Sequence, residues 1–190
     1  DVMPLNLTRT YRQNDTSSRP FGIGATHPYR MFLWSAQEFQ EADLILPDGG
    51  RIHYVRTSGG TGYADAVFEH TTSPGPFYKS TIVYNSPDFT WRLRLRDGTV
   101  YVFGFQTPLQ AILDRHGNQI TVTHASGQGG NITKVSSPNG RFIEFTYDGS
   151  NRITQAKDNI GRTVGYQYDG SGRLWKVTDP ASGVTEYTYD

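Results

Sequence analysis

Tyr-Asp pairs stand at 147/148, 168/169 and 189/190, a spacing of 21 residues both times. Gly149 to Asp169 lies over Gly170 to Asp190 without a gap. A further step back keeps Ile132-Thr133, Gly140-Arg141 and Tyr147-Asp148 in phase. A fixed short period means one supersecondary unit stacked on its neighbours. Two strands of about six residues and two turns of about four fill roughly 20 residues, so each unit reads as a β-hairpin. In Arg141 to Tyr147, Ile143, Phe145 and Tyr147 alternate with Phe142, Glu144 and Thr146, and Val164, Tyr166 and Tyr168 repeat that parity. One face is packed and the other mostly polar. Asp148-Gly149-Ser150-Asn151 and Asp169-Gly170-Ser171-Gly172 supply residues that tolerate positive φ at one end, as does Asn139-Gly140 at the other.

Upstream the period fades but the hairpin grammar continues. Trp91, Leu93 and Leu95 alternate with Arg92, Arg94 and Arg96, Asp97-Gly98 turns, and Val100 to Phe103 returns. Leu113 to His124, turning at Gly117-Asn118, reads as a degenerate unit, and Asp48-Gly49-Gly50 joins Leu44 to Leu46 with Ile52 to Val55. Thr57 to Gly62 and Ser73 to Phe77 read as loops. Arg9 to Arg12 fits a strand and Gln13 to Arg19 is polar. Ser35 to Ala42 could locally pass for a short helix, although tertiary context overrides local propensity. The expectation is an all-β chain of antiparallel hairpins forming a ribbon, with irregular hairpins over 1–127 and three repeats over 128–190. Abundant Tyr, Phe, Thr, Val and Gly, with Lys only at 79, 134, 157 and 176, agree with strands joined by tight turns.

Charge and composition exclude several functions. With 18 Lys+Arg against 18 Asp+Glu, no global basic field draws the chain to nucleic acid or an anionic membrane. Apolar runs such as Leu44 to Leu46 fall far short of the roughly 18 residues that span a bilayer as a helix. Zero Cys excludes disulfides, thiolate zinc sites and cysteine nucleophiles. The chain starts at Asp1 without a basic-then-apolar leader and closes on a repeat boundary, so it reads as a fragment of something longer. Such a fragment is expected to expose an unpaired strand edge, and to aggregate or be readily cleaved.

The Tyr-Asp pair, Gly170-Ser171-Gly172-Arg173-Leu174, Val177-Thr178-Asp179-Pro180 and Tyr187-Thr188-Tyr189-Asp190 together resemble the YD repeat of the RHS (rearrangement hotspot) family. The front half is similar to the segment before the repeats in bacterial members. It carries Leu7 to Arg12, Phe21 to Tyr29, the Asp-Gly hairpins at 48 and 97, and Asp114 to Ile120, with Ala25 where an aromatic is usual. The resemblance implies a long ribbon that spirals into a hollow shell. In bacterial polymorphic toxins and insecticidal toxin complexes that shell encloses a variable C-terminal toxin, and the related teneurins of animals use it in cell adhesion. It implies a non-enzymatic segment, secreted or at the bacterial cell surface, without cofactor or metal. The implied partners are a C-terminal toxin domain of the same polypeptide and a secretion apparatus. Asp179-Pro180 belongs to an ordinary repeat and is not the family's self-cleavage signature, which follows the last repeat.

The residues expected to hold the repeat together are Tyr147, Asp148, Tyr168, Asp169, Tyr189, Asp190, Gly140, Arg141, Gly161, Arg162, Arg152 and Arg173. Each repeat Tyr is expected to pack its ring on the same ring one repeat along, and each Asp to accept backbone N–H bonds in its turn. Arg92, Arg94 and Arg96 would line one strand face about 7 Å apart. With Trp91, and with Trp34 or Tyr54 as stacking rings, they are candidates for holding acidic groups or cell-surface glycans. His27, His53, His70, His116 and His124 lack metal-ligand spacing, and Asp114 with His116 reads as a turn. Gly22-Ile23-Gly24 and Gly59-Gly60-Thr61-Gly62 lack the Lys and following helix of a phosphate loop and read as turns. Glu38 with Glu41, and Asp43 with Asp48, are carboxylate pairs whose separation the sequence does not fix. The Asn-x-Thr triplets at Asn6, Asn14 and Asn131 read as chance.

Overall fold

One kind of turn recurs along the chain. In the computed structural model, which describes residues 2–190, the first residue of each turn donates its N–H to the C=O of the fifth. The N–H of the fourth residue donates back to the C=O of the first. The closing bond is 2.9 Å from Asp148 to Arg152, 3.0 Å from Asp158 to Arg162, 2.9 Å from Asp169 to Arg173 and 2.8 Å from Asp179 to Gly183. The same bonds close 46–50, 95–99, 114–118 and 137–141. This is the three-residue hairpin loop, whose fourth residue must be left-handed. Gly161 and Gly172 take φ of +88° and +86° there, and Asn151 takes +61°.

These turns join short strands, and no helix occurs among the described residues. Four strands of two residues open the chain: β1 (Thr10–Tyr11), β2 (Ser18–Arg19), β3 (Gly22–Ile23) and β4 (Ala25–Thr26). Then come β5 (Phe32–Trp34), β6 (Glu41–Ile45), β7 (Arg51–Arg56), β8 (Val67–Glu69), β9 (Thr81–Asn85) and β10 (Thr90–Arg94). Next are β11 (Val100–Gly104), β12 (Leu109–Leu113), β13 (Gln119–His124), β14 (Ile132–Ser136) and β15 (Phe142–Tyr147). The last are β16 (Ile153–Asp158), β17 (Thr163–Tyr168), β18 (Leu174–Thr178) and β19 (Val184–Glu186). From β5 to β19 the strands form a single 15-stranded sheet in strict sequence order. The fold is all-β, built of antiparallel hairpins. Ser35 to Gln40 forms only bends and a turn, because Glu41–Ile45 pairs with β7 instead of continuing a helix.

The first part of the sheet curls until it meets itself. The free edge of β5 reaches the chain between β11 and β12, where Leu33 N–H donates to Thr107 C=O (3.1 Å) and Leu109 N–H to Met31 C=O (3.2 Å). Leu44, Tyr54, Phe68, Ile82, Leu93 and Phe103 are almost fully buried in this part. The later part keeps Phe145, Ile153, Ala156, Tyr166, Leu174 and Val177 buried. Their cover is the N-terminal segment, in which β1 pairs β4 and β2 pairs β3. Ile153 N–H donates to Pro20 C=O (2.7 Å) and Ile23 N–H to Gly172 C=O (3.0 Å). Phe21 meets Tyr166 with ring centroids 4.8 Å apart, and His27 stacks on Phe145 at 5.9 Å. Thus Phe21 to Tyr29 is the cover of the repeats, and Gly22 serves as a point of close backbone approach as well as a bend. At the far end Val184, Thr185 and Glu186 of β19 are all exposed.

Candidate functional site

The side chains that recur with the period meet along one margin of the sheet. The Asp148 carboxylate accepts the N–H groups of Ser150 and Arg152 (both 2.9 Å) through Oδ1, and Arg152 Nε through Oδ2 (2.8 Å). Asp169 does the same with Ser171, Arg173 N–H and Arg173 Nε, and in the turns of the opposite margin Asp158 does so with Ile160 and Arg162. Asp179 accepts from Ala181 and Gly183 but has Gly183 in place of the Arg. Burial pushes the carboxyls of Asp148, Asp158 and Asp169 up, and these hydrogen bonds and charges more than offset it, leaving all three below the usual range.

Each Arg is held by the Asp that ends the repeat before it, and the contact it makes within its own repeat is guanidinium on ring, not ring on ring. Arg152 lies 4.5 Å from the Tyr168 centroid and Arg173 4.8 Å from the Tyr189 centroid. The Arg that the turn's Asp fixes thus covers the ring of one Tyr, Arg152 that of Tyr168 and Arg173 that of Tyr189, and no ring pair forms between Tyr147, Tyr168 and Tyr189. Each hydroxyl reaches across its hairpin instead: Tyr147 donates to Ile132 C=O (2.7 Å), Tyr168 to Ile153 C=O and Tyr189 to Leu174 C=O (both 2.5 Å). These carbonyls sit 15 residues before each Tyr. Burial raises the Tyr147 and Tyr168 hydroxyls well above their ordinary pKa, so they stay neutral donors.

A further unit carries the same tie in another residue. His124 Nε2 bonds Leu109 C=O at 2.8 Å, again 15 residues back. His124, Tyr147 and Tyr168 all stand at a register shift, opposite Ile132, Ile153 and Leu174. His124 is therefore the Tyr of an earlier repeat. Aligning Leu109 to His124 with Ile132 to Tyr147 was the available signal, hidden by the longer 125–131 loop.

The other residues fall elsewhere. Gly140 (φ +82°) and Gly161 hold the turns of the opposite margin. Arg141 accepts the Ser137 N–H in the first of those turns, and Arg162 pairs with Asp158 while two-thirds exposed and without a ring beneath it. Asp190 is exposed at the chain's last position. Arg92 donates to Asp88 (2.6 Å), Arg94 is exposed in β10, and Arg96 lies in the 95–99 turn. Trp91 is buried beside Phe39, Phe68 and Tyr84, on the face of β10 opposite Arg92 and Arg94. The structure does not bring this ring and these cations together. Tyr54 is fully buried and bonded to Ser80 (2.8 Å), while Trp34 is exposed with Arg51 over its ring at 4.9 Å. Asp43 bonds Arg51 (3.0 Å) and His53 (2.9 Å), and Asp114 accepts from the His116 and Asn118 N–H groups. Among the described residues no three His, Cys, Asp or Glu side chains gather as a metal set.

A meandering sheet in which one Asp-Arg-Tyr tie recurs at each repeat defines a β-hairpin repeat protein. A family model described as RHS Repeat matches residues 129–159 and 147–182, the stretch that contains these ties. The chain is an RHS/YD-repeat protein. A second model, described as Domain of unknown function (DUF6531), matches residues 1–54 and so covers the N-terminal segment. No curated protein matches the chain.

Proposed function

We propose that this chain is a non-enzymatic wall segment of a β-shell that encloses a toxin domain lying C-terminal to it in the same polypeptide. The observation that carries the reading is where the recurring side chains are used. Asp148-Arg152-Tyr168 and Asp169-Arg173-Tyr189 link repeat to repeat along a margin, so their charged and polar groups are taken up in holding the array together. An array of this kind is stabilised by nearest-neighbour contacts and extends as a surface. Its apolar face is covered from within the chain, so wall and cover come from one polypeptide. The wall would keep cargo from cytoplasm and proteases until delivery in interbacterial competition or host intoxication. A secretion apparatus is then a partner, and the site of action is secreted or at the bacterial surface.

The test is limited proteolysis of the natural protein that carries this chain, followed by immunodetection of its C-terminal domain. The domain is expected to survive trypsin until the wall is denatured, and to be cut earlier in an Arg152→Ala, Arg173→Ala variant. Cleavage in the intact protein as fast as in the free domain would overturn the reading.

A further inference from the structure

The curled part of the sheet opens at a pocket of ≈ 420 Å³ that the ties between repeats do not use. Its lining is strongly aromatic: Trp34, Phe39, Phe68, Trp91 and Phe105 all face it. Phe39 and Trp91 lie nearly parallel with centroids 6.4 Å apart, and Phe68 tilts against Trp91 at 5.9 Å. Phe105 is held edge-on by Tyr63 (5.9 Å) and Tyr84 (6.1 Å). Trp34 and Phe105 keep 44% and 46% of their surface exposed, although buried apolar positions lie next to them. Phe39 holds a left-handed backbone (φ +62°), fixed where Arg56 Nη1 donates to its C=O at 2.7 Å.

The charges at this pocket have one sign. Glu38 and Glu41 line it, and no Lys, Arg or His does. Glu38 forms no ion pair among the described residues, and Glu41 has the His53 imidazole 3.9 Å away. Arg51, over Trp34, is itself bonded to Asp43. Aromatic faces carry negative potential and attract cations that shed water readily. Two carboxylates add to that potential without supplying the oxygen cage that a strongly hydrated metal ion demands.

We infer that this pocket binds a small organic cation with a quaternary ammonium head, seated between Trp34, Trp91 and Phe105 with Glu38 and Glu41 at its mouth. The inference is independent of the shell reading, since it rests on residues 33–107 alone. The head group's bulk suits an apolar pocket, and its charge is what distinguishes it from any other apolar guest.

Calorimetric titration of the full chain with choline, and with its uncharged isostere 3,3-dimethyl-1-butanol, tests it. Choline is expected to saturate one site and to bind roughly tenfold more tightly than the alcohol, the range of a desolvated cation–π contact. Trp34→Leu and Phe105→Leu keep apolar bulk at exposed positions and remove the ring; each is expected to weaken choline about threefold and leave the alcohol unchanged. Glu38→Gln with Glu41→Gln is expected to weaken choline and flatten its salt dependence. Equal affinity for choline and the alcohol, binding of neither, or Leu variants that bind choline like the parent would overturn the site.

Discussion

Arg152 and Arg162 occupy the same position in two turns of the same kind and make the same bond to an Asp four residues before; they differ in that only Arg152 lies on a ring. Arg162→Ala removes an exposed ion pair that solvent screens, and is expected to leave stability almost unchanged. Arg152→Ala also removes the contact with Tyr168 and is expected to cost about 1–2 kcal/mol. Urea titration of the two variants checks the difference, and equal midpoints would remove the guanidinium-on-ring tie. His27 sets a second expectation. It is buried with neither ring nitrogen bonded to protein, and burial, with Arg30 nearby, lowers its pKa from 6.5 to about 3. The unfolded chain takes up that proton first, so stability falls as pH drops from about 6.5 towards 3. Asp15, held near 2 by Arg19, works in the same direction as an anion rather than a neutral ring: its deprotonated form is favoured by folding, and its share is present above about 4 and lost towards pH 2. Asp88 behaves likewise, burial raising it and bonds from Asn85, Thr90 and Arg92 bringing it to about 2. His27→Phe is expected to flatten the decline between pH 6.5 and 4 and leave the steeper loss below it, read as melting temperature against pH. The period made Tyr168 and Asp169 legible as structural residues. It could not show that Arg152 lies on the Tyr168 ring, because the two are distant in sequence and meet only when β16 pairs with β17.

At the scale of the element, turn chemistry did most of the work and was legible wherever Asp and Gly stood at the right offset. Gly161 offers the cleanest test. Its φ is +88°, and no heavy atom lies within 4 Å of where a Cβ would be, so substitution there strains only the backbone. Gly161→Ala is expected to cost about 1–2 kcal/mol, the penalty of a left-handed non-glycine residue. Gly161→Asn should cost less, because Asn151 already holds the equivalent place at φ +61°. Equal losses in thermal melts would mean that the loop relaxes into another turn type. The helix-like reading of Ser35 to Ala42 failed for a complementary reason. A segment that short forms at most a turn or two of helix, and nucleation is unfavourable, whereas Glu41–Ile45 gains five paired positions against β7. Local propensity had no means of registering a partner strand.

The whole molecule depends on contacts that no local pattern announces. Phe21, Gly22 and Ile23 touch residues about 150 positions later, and the sequence offered only glycines that suit a turn. Gly22 is where that long-range docking can be broken by one methyl group. Its φ is +88°, and an added Cβ would fall 2.6 Å from Gly172 C=O and 3.1 Å from Leu174 N, both backbone atoms of the sheet margin. Neither can swing aside as a side chain tip does, so in Gly22→Ala the N-terminal segment must lift. The left-handed penalty and the forced separation together are expected to cost about 3 kcal/mol. Lifting would uncover Phe145, Ile153, Tyr166 and Leu174, so dye binding to exposed apolar surface should rise and trypsin should cut first at Arg9, Arg12 or Arg19. Gly149→Ala, at a turn position with no neighbour within 4 Å, supplies the control and should behave as the parent. If Gly22→Ala melted like that control and resisted trypsin equally, the cover would not be coupled to the repeats and the wall would have to be stable without it.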